Sequence, residues 1–289
     1  MNILIRADSS STIGLGHIMR DLVLARQYPD ADIAFACQDL PGNIIDHIPY
    51  PVHILSSNKP EELIDLIHSC RIDQIIIDHY GIDASFEQNI KEKTGITLLC
   101  VDDTYQPHHC DILLNPNIYA HPERYHSLVP PGCTLRCGKE FLLIREEFRE
   151  AKLNPPPKTD AIFIAMGGSD PANLSLSVLK SLPERTSVHL VTTLSNPHLD
   201  LLRQFISGHP DIKLHINANN IALLMSESRL AIITPSSIAH EVMFMELPFI
   251  AIQSAENQKE FVSYMKGQGL AVMETFDTEI FKTLLEQRL

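Results

Sequence analysis

A glycine loop followed by a histidine and an arginine ends the first strand-like segment of the chain. The stretch "IGLGHIMRD" (13–21) places Gly14 and Gly16 directly before His17 and Arg20. It lacks the third small residue of a dinucleotide fingerprint and the lysine of a Walker loop. His17 would lie in the first turn of a helix, where the helix dipole disfavours imidazolium and so favours a neutral general base. The alternative is that the glycines only turn the chain and that Arg20 extends along the surface.

A second loop, "MGGSDPAN" (166–173), has the composition of a phosphate site. Glycines let a ligand approach the backbone, and the N-terminus of a helix offers unpaired N–H groups to a phosphate. Asp170 is expected to be the N-cap of that helix, with Pro171 at its first position. A capped helix without any ligand explains the pattern equally well. The residues expected to contact the ligand are Gly167, Gly168, Ser169 and Asp170.

Two further stretches suit a nucleotide sugar. In "TPSSIAHEVMFMELPFIAI" (234–252), Ser236 and Ser237 would open a helix beside a phosphate, and Glu241 could accept hydrogen bonds from ribose hydroxyls. Asn257 and Gln258 begin the next predicted helix, and their amides can donate to and accept from a sugar or a water. The competing interpretations are a capping or surface role for Glu241 and a helix cap for Asn257.

Acidic and histidine residues follow the strands of the first half and would gather at one edge of its sheet. The stretch "PHHCD" (107–111) is rich in metal ligands, but adjacent histidines rarely bind one ion and no His-x-His or His-x-x-x-His spacing occurs. We therefore expect no metal, and supporting hydrogen bonds instead. The residues concerned are Asp78, His79, Tyr80, Asp102, Asp103, His108, His109 and Asn115.

Apolar strand-like runs alternate with helical patterns, which is typical of parallel α/β architecture. The predicted strands are 2–8, 32–37, 52–55, 74–78, 97–101, 111–114, 161–166, 187–192, 212–216, 230–234 and 249–252. The predicted helices are 17–28, 60–70, 84–93, 172–182, 197–207, 218–227, 237–246, 256–267 and 278–288, and a charged helix between residues 144 and 160 ends at Pro155–Pro157. These prolines indicate a linker, so we predict two Rossmann-like domains, 1–152 and 153–289, facing across a cleft.

Composition limits the partners. The chain has 289 residues, 44% of them hydrophobic, and a formal net charge of −13 from 36 acidic and 23 basic residues. That charge disfavours nucleic acid and anionic membranes as partners. The sequence contains no apolar run of membrane-spanning length and begins without the pattern of a signal peptide, so we expect a cytoplasmic protein. The six cysteines form no Cys-x-x-Cys motif and are expected to be reduced thiols.

Several motifs together resemble one family. They are "RADSSSTIGLGHIMRDLVLA", "IIIDHYG", "DDTYQPHHCDILLNPN" and "MGGSD". This set is similar to the UDP-sugar hydrolases of pseudaminic acid biosynthesis, the PseG family, and the resemblance runs from the first strand to about residue 260. The serine, glutamate and Asn-Gln positions near the end of the chain are shared more widely with glycosyltransferases of the GT-B fold.

The resemblance implies an inverting, metal-independent hydrolysis of UDP-2,4-diacetamido-2,4,6-trideoxy-β-L-altropyranose, in a pathway that serves flagellin glycosylation. It implies that His17 is the base, that Tyr80 lies near the sugar, that Asn257 helps to hold sugar or water, and that Glu241 binds ribose. We expect no cofactor, a UDP-sugar as the partner and a monomer. The alternatives are a UDP-sugar-dependent glycosyltransferase of the same fold, a non-catalytic nucleotide-sugar binder, and a metal-binding module.

Overall fold

The computed structural model describes residues 1–288, and the chain divides into two compact units, Met1–Leu143 and the part from Ile144 onward. Each unit contains one parallel sheet with helices packed against it. The prediction of two Rossmann-like α/β domains is confirmed. No helix among residues 1–288 is both long and apolar enough to span a membrane.

The first unit contains a seven-stranded sheet in the order β3-β2-β1-β4-β5-β6-β7. Its strands are β1 (Asn2–Ala7), β2 (Asp32–Gln38), β3 (Val52–Leu55), β4 (Gln74–Asp78), β5 (Thr97–Val101), β6 (Ile112–Asn115) and β7 (Thr134–Cys137). Its helices are α1 (Gly16–Ala25), α2 (Pro60–Ser69) and α3 (Ala84–Thr94), with 3₁₀ turns at Ile45–His47, Pro122–Tyr125 and Lys139–Phe141.

The central strands are mostly apolar because helices cover both faces of the sheet. All five residues of β4 are buried. Ile75 and Ile77 pack in one core cluster with residues of α2 and α3, whereas Ile76 packs in a second cluster with Ile18 and Leu24 of α1. This alternation fixes which way each side chain of β4 points. It also leaves Asp78, the last residue of β4, at the carboxyl end of the sheet.

The chain changes direction within this sheet between β1 and β4. From β1 it proceeds through β2 to β3 on one side, then returns to β4 and continues through β7 on the other. Open α/β sheets bind ligands outside the carboxyl ends of the strands at such a switch point. The loop from β1 into α1 and the loop after β4 both lie there, so topology brings Gly14–His17 next to Asp78.

The second unit contains a six-stranded parallel sheet in the order β10-β9-β8-β11-β12-β13, whose switch point lies between β8 and β11. Its strands are β8 (Ile162–Ala165), β9 (Val188–Thr192), β10 (Ile212–Ile216), β11 (Leu230–Ile233), β12 (Phe249–Ile252) and β13 (Val272–Met273). Its helices are α4 (Glu146–Leu153), α5 (Leu174–Ser181), α6 (Leu199–Ile206), α7 (Ile221–Glu227), α8 (Ser237–Phe244), α9 (Lys259–Gly267) and α10 (Thr278–Glu286), with a 3₁₀ turn at Glu256–Gln258.

The structure differs from the sequence prediction at the boundary and at two edges. The units divide before α4, not after it at residue 152, because Lys152 donates hydrogen bonds to Phe244 and Glu246 of the second unit. The edge strands β7 and β13 were not predicted, since they span only four and two residues. The other strands and the helices lie where the sequence predicts them, with small displacements at their ends.

Candidate active site

The glycine loop of the first unit is a closed turn. The Ser10 N–H donates to the Gly14 carbonyl at 3.3 Å, and the Gly14 N–H donates back to Ser10 at 2.9 Å. Gly14 has a φ of +87°, a left-handed conformation that favours glycine. Helix α1 then begins at Gly16, which places His17 in its first turn as predicted.

Asp78 is the centre of the charged groups in this unit. Its side chain is 1% exposed and accepts hydrogen bonds from His17 Nδ1 at 2.6 Å and from both Nε and Nη2 of Arg20 at 2.6 Å. Burial acts to raise the pKa of Asp78, but Arg20 and His17 outweigh it and hold that pKa well below its usual range. Asp78 is therefore an anion at every pH at which the protein would work.

The position of Asp78 defines which nitrogen of His17 carries the proton. Arg20 Nη2 also lies 3.2 Å from His17 Nδ1, but the Asp78 oxygen is closer, at 2.6 Å. An unprotonated Nδ1 would place its lone pair against the lone pairs of the Asp78 carboxylate, which is unfavourable. The ring is accordingly a donor at Nδ1, which leaves Nε2 as the basic nitrogen. Nε2 makes no hydrogen bond to any residue between 1 and 288, although the residue is only 6% exposed.

Tyr80 and Asp103 complete this group at the same edge of the sheet, and the proximity of Tyr80 to a sugar stays a prediction. The Tyr80 ring meets the His17 ring edge-on, with centroids 4.6 Å apart. Its hydroxyl donates to Asp103 at 2.8 Å, and the other Asp103 oxygen accepts from Arg20 Nη1 at 2.6 Å. Burial and the Asp103 charge raise the pKa of Tyr80, so its hydroxyl stays protonated. Arg20 therefore forms ion pairs with two carboxylates, and the sequence did not predict these pairs.

The loop after β5 is fixed by a buried chain of hydrogen bonds. Glu87 is fully buried and accepts from His108 Nδ1 at 2.7 Å and from the His109 N–H at 2.5 Å. Asp102 lies 3.9 Å from the other ring nitrogen of His108 and accepts from the Tyr125 hydroxyl at 2.6 Å. These contacts set the path of the loop that carries Asp103.

Glu87 and His108, together with Cys100, form the group that comes closest to a metal site in the described part of the chain. Ligand atoms of Glu87, Cys100 and His108 lie within 4.8 Å of one another. Both Glu87 oxygens already accept hydrogen bonds, and three groups fall short of the four ligands of a structural zinc site. All six cysteines are free thiols.

A buried arginine that the sequence analysis did not identify supports the neighbouring loop. Arg6 lies in β1 with no exposed surface and donates to both oxygens of Asp8, at 2.6 and 2.8 Å. The second Asp8 oxygen lies 3.0 Å from His79 Nε2, and His79 Nδ1 accepts from the Gly81 N–H at 2.9 Å. A Cβ on Gly81 would lie 2.9 Å from the His79 ring, so any other residue there would displace that ring. Arginine within an apolar strand is the one signal that could have revealed this pairing.

In the second unit, the prediction that Asp170 is an N-cap is wrong in position. Asn173, with a φ of +51°, is the N-cap of α5, and Pro171 lies outside the helix. The Asp170 carboxylate nevertheless accepts from the N–H groups of Leu174 and Ser175, at 2.8 and 2.9 Å. It therefore occupies the N–H groups that were expected to meet a phosphate, and it places a negative charge in front of them.

The rest of this glycine loop is exposed. Gly167 has a φ of +85° with open space beyond it, whereas a Cβ on Gly168 would lie 3.0 Å from the Thr193 side chain. The Gly168 carbonyl accepts from the Thr193 hydroxyl at 2.9 Å. Gly167, Gly168 and Ser169 thus remain accessible to a ligand through their backbone.

Helix α8 presents a different N-terminus. Ser236 is its N-cap, but no side chain caps the helix, and the Ser236 hydroxyl lies 3.2 Å from that of Thr234. Ser237 is exposed. Helix α8 also begins at the switch point of its sheet, after β11. It therefore retains the unoccupied N–H groups that α5 has lost to Asp170.

Glu241 is neither a capping nor a surface residue. It is 6% exposed and accepts a bidentate pair of hydrogen bonds from Arg145, Nε at 2.6 Å and Nη2 at 2.9 Å. Burial raises the pKa of Glu241, and Arg145 partly offsets that increase. Each Glu241 oxygen keeps one free lone pair for a further donor. No motif in the sequence marks Arg145 as the partner of Glu241.

Asn257 and Gln258 lie in the 3₁₀ turn before α9 and behave differently. Gln258 Oε1 accepts from the Ser254 N–H at 2.8 Å, and its amide donates to the Ser254 hydroxyl at 3.2 Å. Gln258 therefore holds its own loop, and its contact with substrate stays a prediction. Asn257 is exposed and is not a helix cap, so its side chain is available to a ligand.

His108 makes the stability of the protein depend on pH. Burial opposes its charge, but the Asp102 and Glu87 carboxylates outweigh burial and raise the pKa of His108 to about 9. The stabilisation is full below the unfolded pKa of about 6.5 and is lost as the pH rises through about 9. We expect His108→Gln to cost on the order of 3 kcal/mol at about pH 6 and much less at about pH 10, measured by urea unfolding.

The control is His47→Gln, since His47 is exposed in the same unit. The difference between wild type and this control should not change with pH. A cost of His108→Gln that is equal at both pH values would contradict the charged pair.

The chain is similar to known proteins over most of its length. No family model matches the sequence. The chain is 48% identical over 273 residues to the UDP-2,4-diacetamido-2,4,6-trideoxy-β-L-altropyranose hydrolase of Campylobacter jejuni, covering 94% of this chain and 98% of that protein. It is 23% identical to the spore coat polysaccharide biosynthesis protein SpsG of Bacillus subtilis, covering 94% of this chain and 83% of that protein.

Solved structures resemble the fold at low identity. MurG of Acinetobacter baumannii matches with a TM-score of 0.63 at 11% identity, covering 99% of this chain and 90% of that one. The UDP-GlcNAc 2-epimerase of Neisseria meningitidis matches with a TM-score of 0.59 at 13% identity, covering 99% of this chain and 91% of that one. These matches show the GT-B type of fold. The family follows from the 48% identity to the Campylobacter protein over nearly the whole of both chains: this chain belongs to the family of UDP-2,4-diacetamido-2,4,6-trideoxy-β-L-altropyranose hydrolases.

Proposed function

We propose that the protein hydrolyses UDP-2,4-diacetamido-2,4,6-trideoxy-β-L-altropyranose to UDP and the free sugar. The observation that carries this proposal is the pair of His17 and Asp78, which orients a histidine with its Nε2 unoccupied at the switch point of a sheet. Membership of the hydrolase family supports the same substrate.

The reaction needs one water and one base. A water hydrogen-bonded to His17 Nε2 attacks the anomeric carbon, and its proton moves to Nε2. The bond from the anomeric carbon to the UDP oxygen breaks, and attack opposite that bond inverts the configuration. Asp78 then balances the imidazolium across the 2.6 Å contact. General-base assistance of this kind is worth about 10²–10⁴-fold in rate.

The second unit is proposed to hold UDP. The accessible N–H groups of Gly167, Gly168 and Ser169, and those at the start of α8 beside Ser236 and Ser237, suit a diphosphate. A leaving group stabilised by such donors does not require a metal, so we propose a metal-independent reaction. Glu241, held by Arg145, accepts from the ribose hydroxyls through its remaining lone pairs.

Tyr80 and Asn257 are proposed to contact the sugar. Tyr80 is 61% exposed, and its ring adjoins the His17 ring, so it can lie against the sugar beside the base. Asn257 can donate to and accept from an acetamido group or the water. We further propose that the protein acts as a monomer in the cytoplasm, in the synthesis of pseudaminic acid for flagellin.

Hydrolysis in ¹⁸O-labelled water tests the bond that breaks. We expect the label in the free sugar and none in UDP, measured by mass spectrometry, and an inverted anomer in the first product seen by NMR. His17→Ala should lower kcat by about 10²–10⁴-fold, because water loses its base.

The control is Met19→Ala, an exposed position on the same helix. Label in UDP would contradict attack at the sugar carbon. Turnover that requires an alcohol acceptor would instead favour a glycosyltransferase, and full activity of His17→Ala would rule out His17 as the base.

Glu241→Gln tests the ribose contact. We expect the KM for the UDP-sugar to rise about tenfold with a smaller change in kcat, since one charged hydrogen bond to the nucleotide is lost. Wild type should bind UDP more tightly than 2′-deoxy-UDP in calorimetry, and Glu241→Gln should lose most of that preference. Glu246→Gln, at an 80% exposed side chain in the same unit, is the matched control. An undiminished preference for UDP in Glu241→Gln would contradict the assignment.

A further inference from the structure

Asp21 is a buried acid to which the proposed reaction assigns no role. It lies on α1 one helical turn after His17 and has no exposed surface. Neither of its oxygens accepts a hydrogen bond from any donor among residues 1–288. A buried carboxylate without partners is costly, so this side chain requires an explanation.

The neighbours of Asp21 explain why an ionised form finds no partner. The adjacent Arg20 directs its guanidinium at Asp78 and Asp103. The carboxyl group that Asp21 itself approaches is Asp78, and two carboxylates cannot hydrogen-bond to each other. With one proton between them, one becomes a donor and the other accepts from it.

Asp78 has one acceptor position left for this donor. A carboxylate has about four lone pairs. His17 Nδ1 and Arg20 Nη2 both donate to Oδ1 of Asp78, and Arg20 Nε donates to Oδ2. One lone pair of Oδ2 therefore remains in a site that has no water-exposed surface to fill it.

We propose that Asp21 carries a proton and donates it in a hydrogen bond to Asp78, and that it is thereby a positioning residue for His17. This inference rests on the proposed role of His17 as the base. The pKa of Asp21 is raised well above its usual range by burial and by the Asp78 charge, which together outweigh Arg20. Geometry and electrostatics thus assign the proton to the same residue.

The other titratable groups near Asp21 do not supply a counter-charge. Cys37 faces it from β2, and burial raises the pKa of that thiol to about 12, so it is neutral. The Arg6 charge beyond it is neutralised by Asp8. Arg20 is the nearest cation, and it is shared by two other carboxylates.

The proton sets the charge around the base. With Asp21 neutral, Arg20, Asp78 and Asp103 leave one net negative charge, which the proton that His17 takes from water cancels. An ionised Asp21 would add a second, uncompensated negative charge to this buried group. The hydrogen bond from Asp21 also weakens the pull of Asp78 on the His17 proton, because it occupies a lone pair of the same carboxylate.

Infrared difference spectroscopy on the intact protein detects the proton directly. We expect wild type at about pH 7 to show the C=O stretching band of a protonated carboxylic acid, absent from Asp21→Asn, because an ordinary Asp is ionised at that pH. Because the folded protein holds this proton and the unfolded chain does not, Tm of Asp21→Asn relative to wild type should rise with pH above about 4.

The pH profile of kcat/KM separates positioning from packing. Asp21→Leu removes the donor, so its rising limb should move to higher pH by about half a unit to one unit, whereas Asp21→Asn keeps an N–H donor and should retain the wild-type limb.

The infrared band does not depend on turnover. Its absence, or equal limbs in both variants, would overturn the role of Asp21 even in an active hydrolase. A band without any hydrolysis would instead overturn the proposed function. If Asp21→Leu fails to fold, the infrared band and the Tm of Asp21→Asn still show whether Asp21 carries the proton.

Discussion

The pairing of Asp78 with Arg20 and His17 is the interaction on which the site of the first unit depends. Asp78 ends a strand whose other residues are buried, and it is buried itself. Water cannot solvate its charge, so groups of the protein must compensate it. Both compensating groups come from α1, within one turn. The ion pair therefore joins the N-terminus of α1 to the end of β4, and a single carboxylate fixes both the position of the helix and the orientation of the base. Breaking a buried pair by removing one partner typically costs about 3–5 kcal/mol, so structure and chemistry are coupled here.

The second unit shows that two helix starts of similar composition can have opposite uses. Asp170 fills the N–H groups of α5 with its own carboxylate, whereas α8 begins without a side-chain cap. Only the second retains its donors for an anion. The distinction depends on Asn173, which adopts a left-handed conformation and moves the start of the helix beyond Asp170. A glycine-rich loop therefore does not by itself indicate a phosphate site. The hydrogen-bond partners of the N–H groups that follow it must also be known.

The sequence predicts the fold well because buried parallel strands are continuous apolar runs, and in this chain such runs alternate with helical patterns. It also predicts that Asp78, Tyr80 and Asp103 gather at one edge of the sheet, since parallel sheets bring the carboxyl ends of neighbouring strands together. It does not predict side-chain partners that are distant in sequence. Arg145 and Glu241 are 96 positions apart, and nothing local marks either as paired. Asp21 beside Arg20 reads as a charged surface pair, and only the helix face turned toward β4 shows that it is buried.

The central claim is that Asp78 holds His17 with its proton on Nδ1 and leaves Nε2 free to accept one. The most direct measurement is the ¹⁵N NMR spectrum of the histidine ring nitrogens in the intact protein, with His17→Gln used to assign the signals. At about pH 8, where an ordinary imidazole is neutral, we expect a protonated Nδ1 and an unprotonated Nε2 for His17. Asp78→Asn should lose this preference. A His17 ring protonated at Nε2 alone would contradict the account, because the nitrogen assigned to take the proton from water would already hold one.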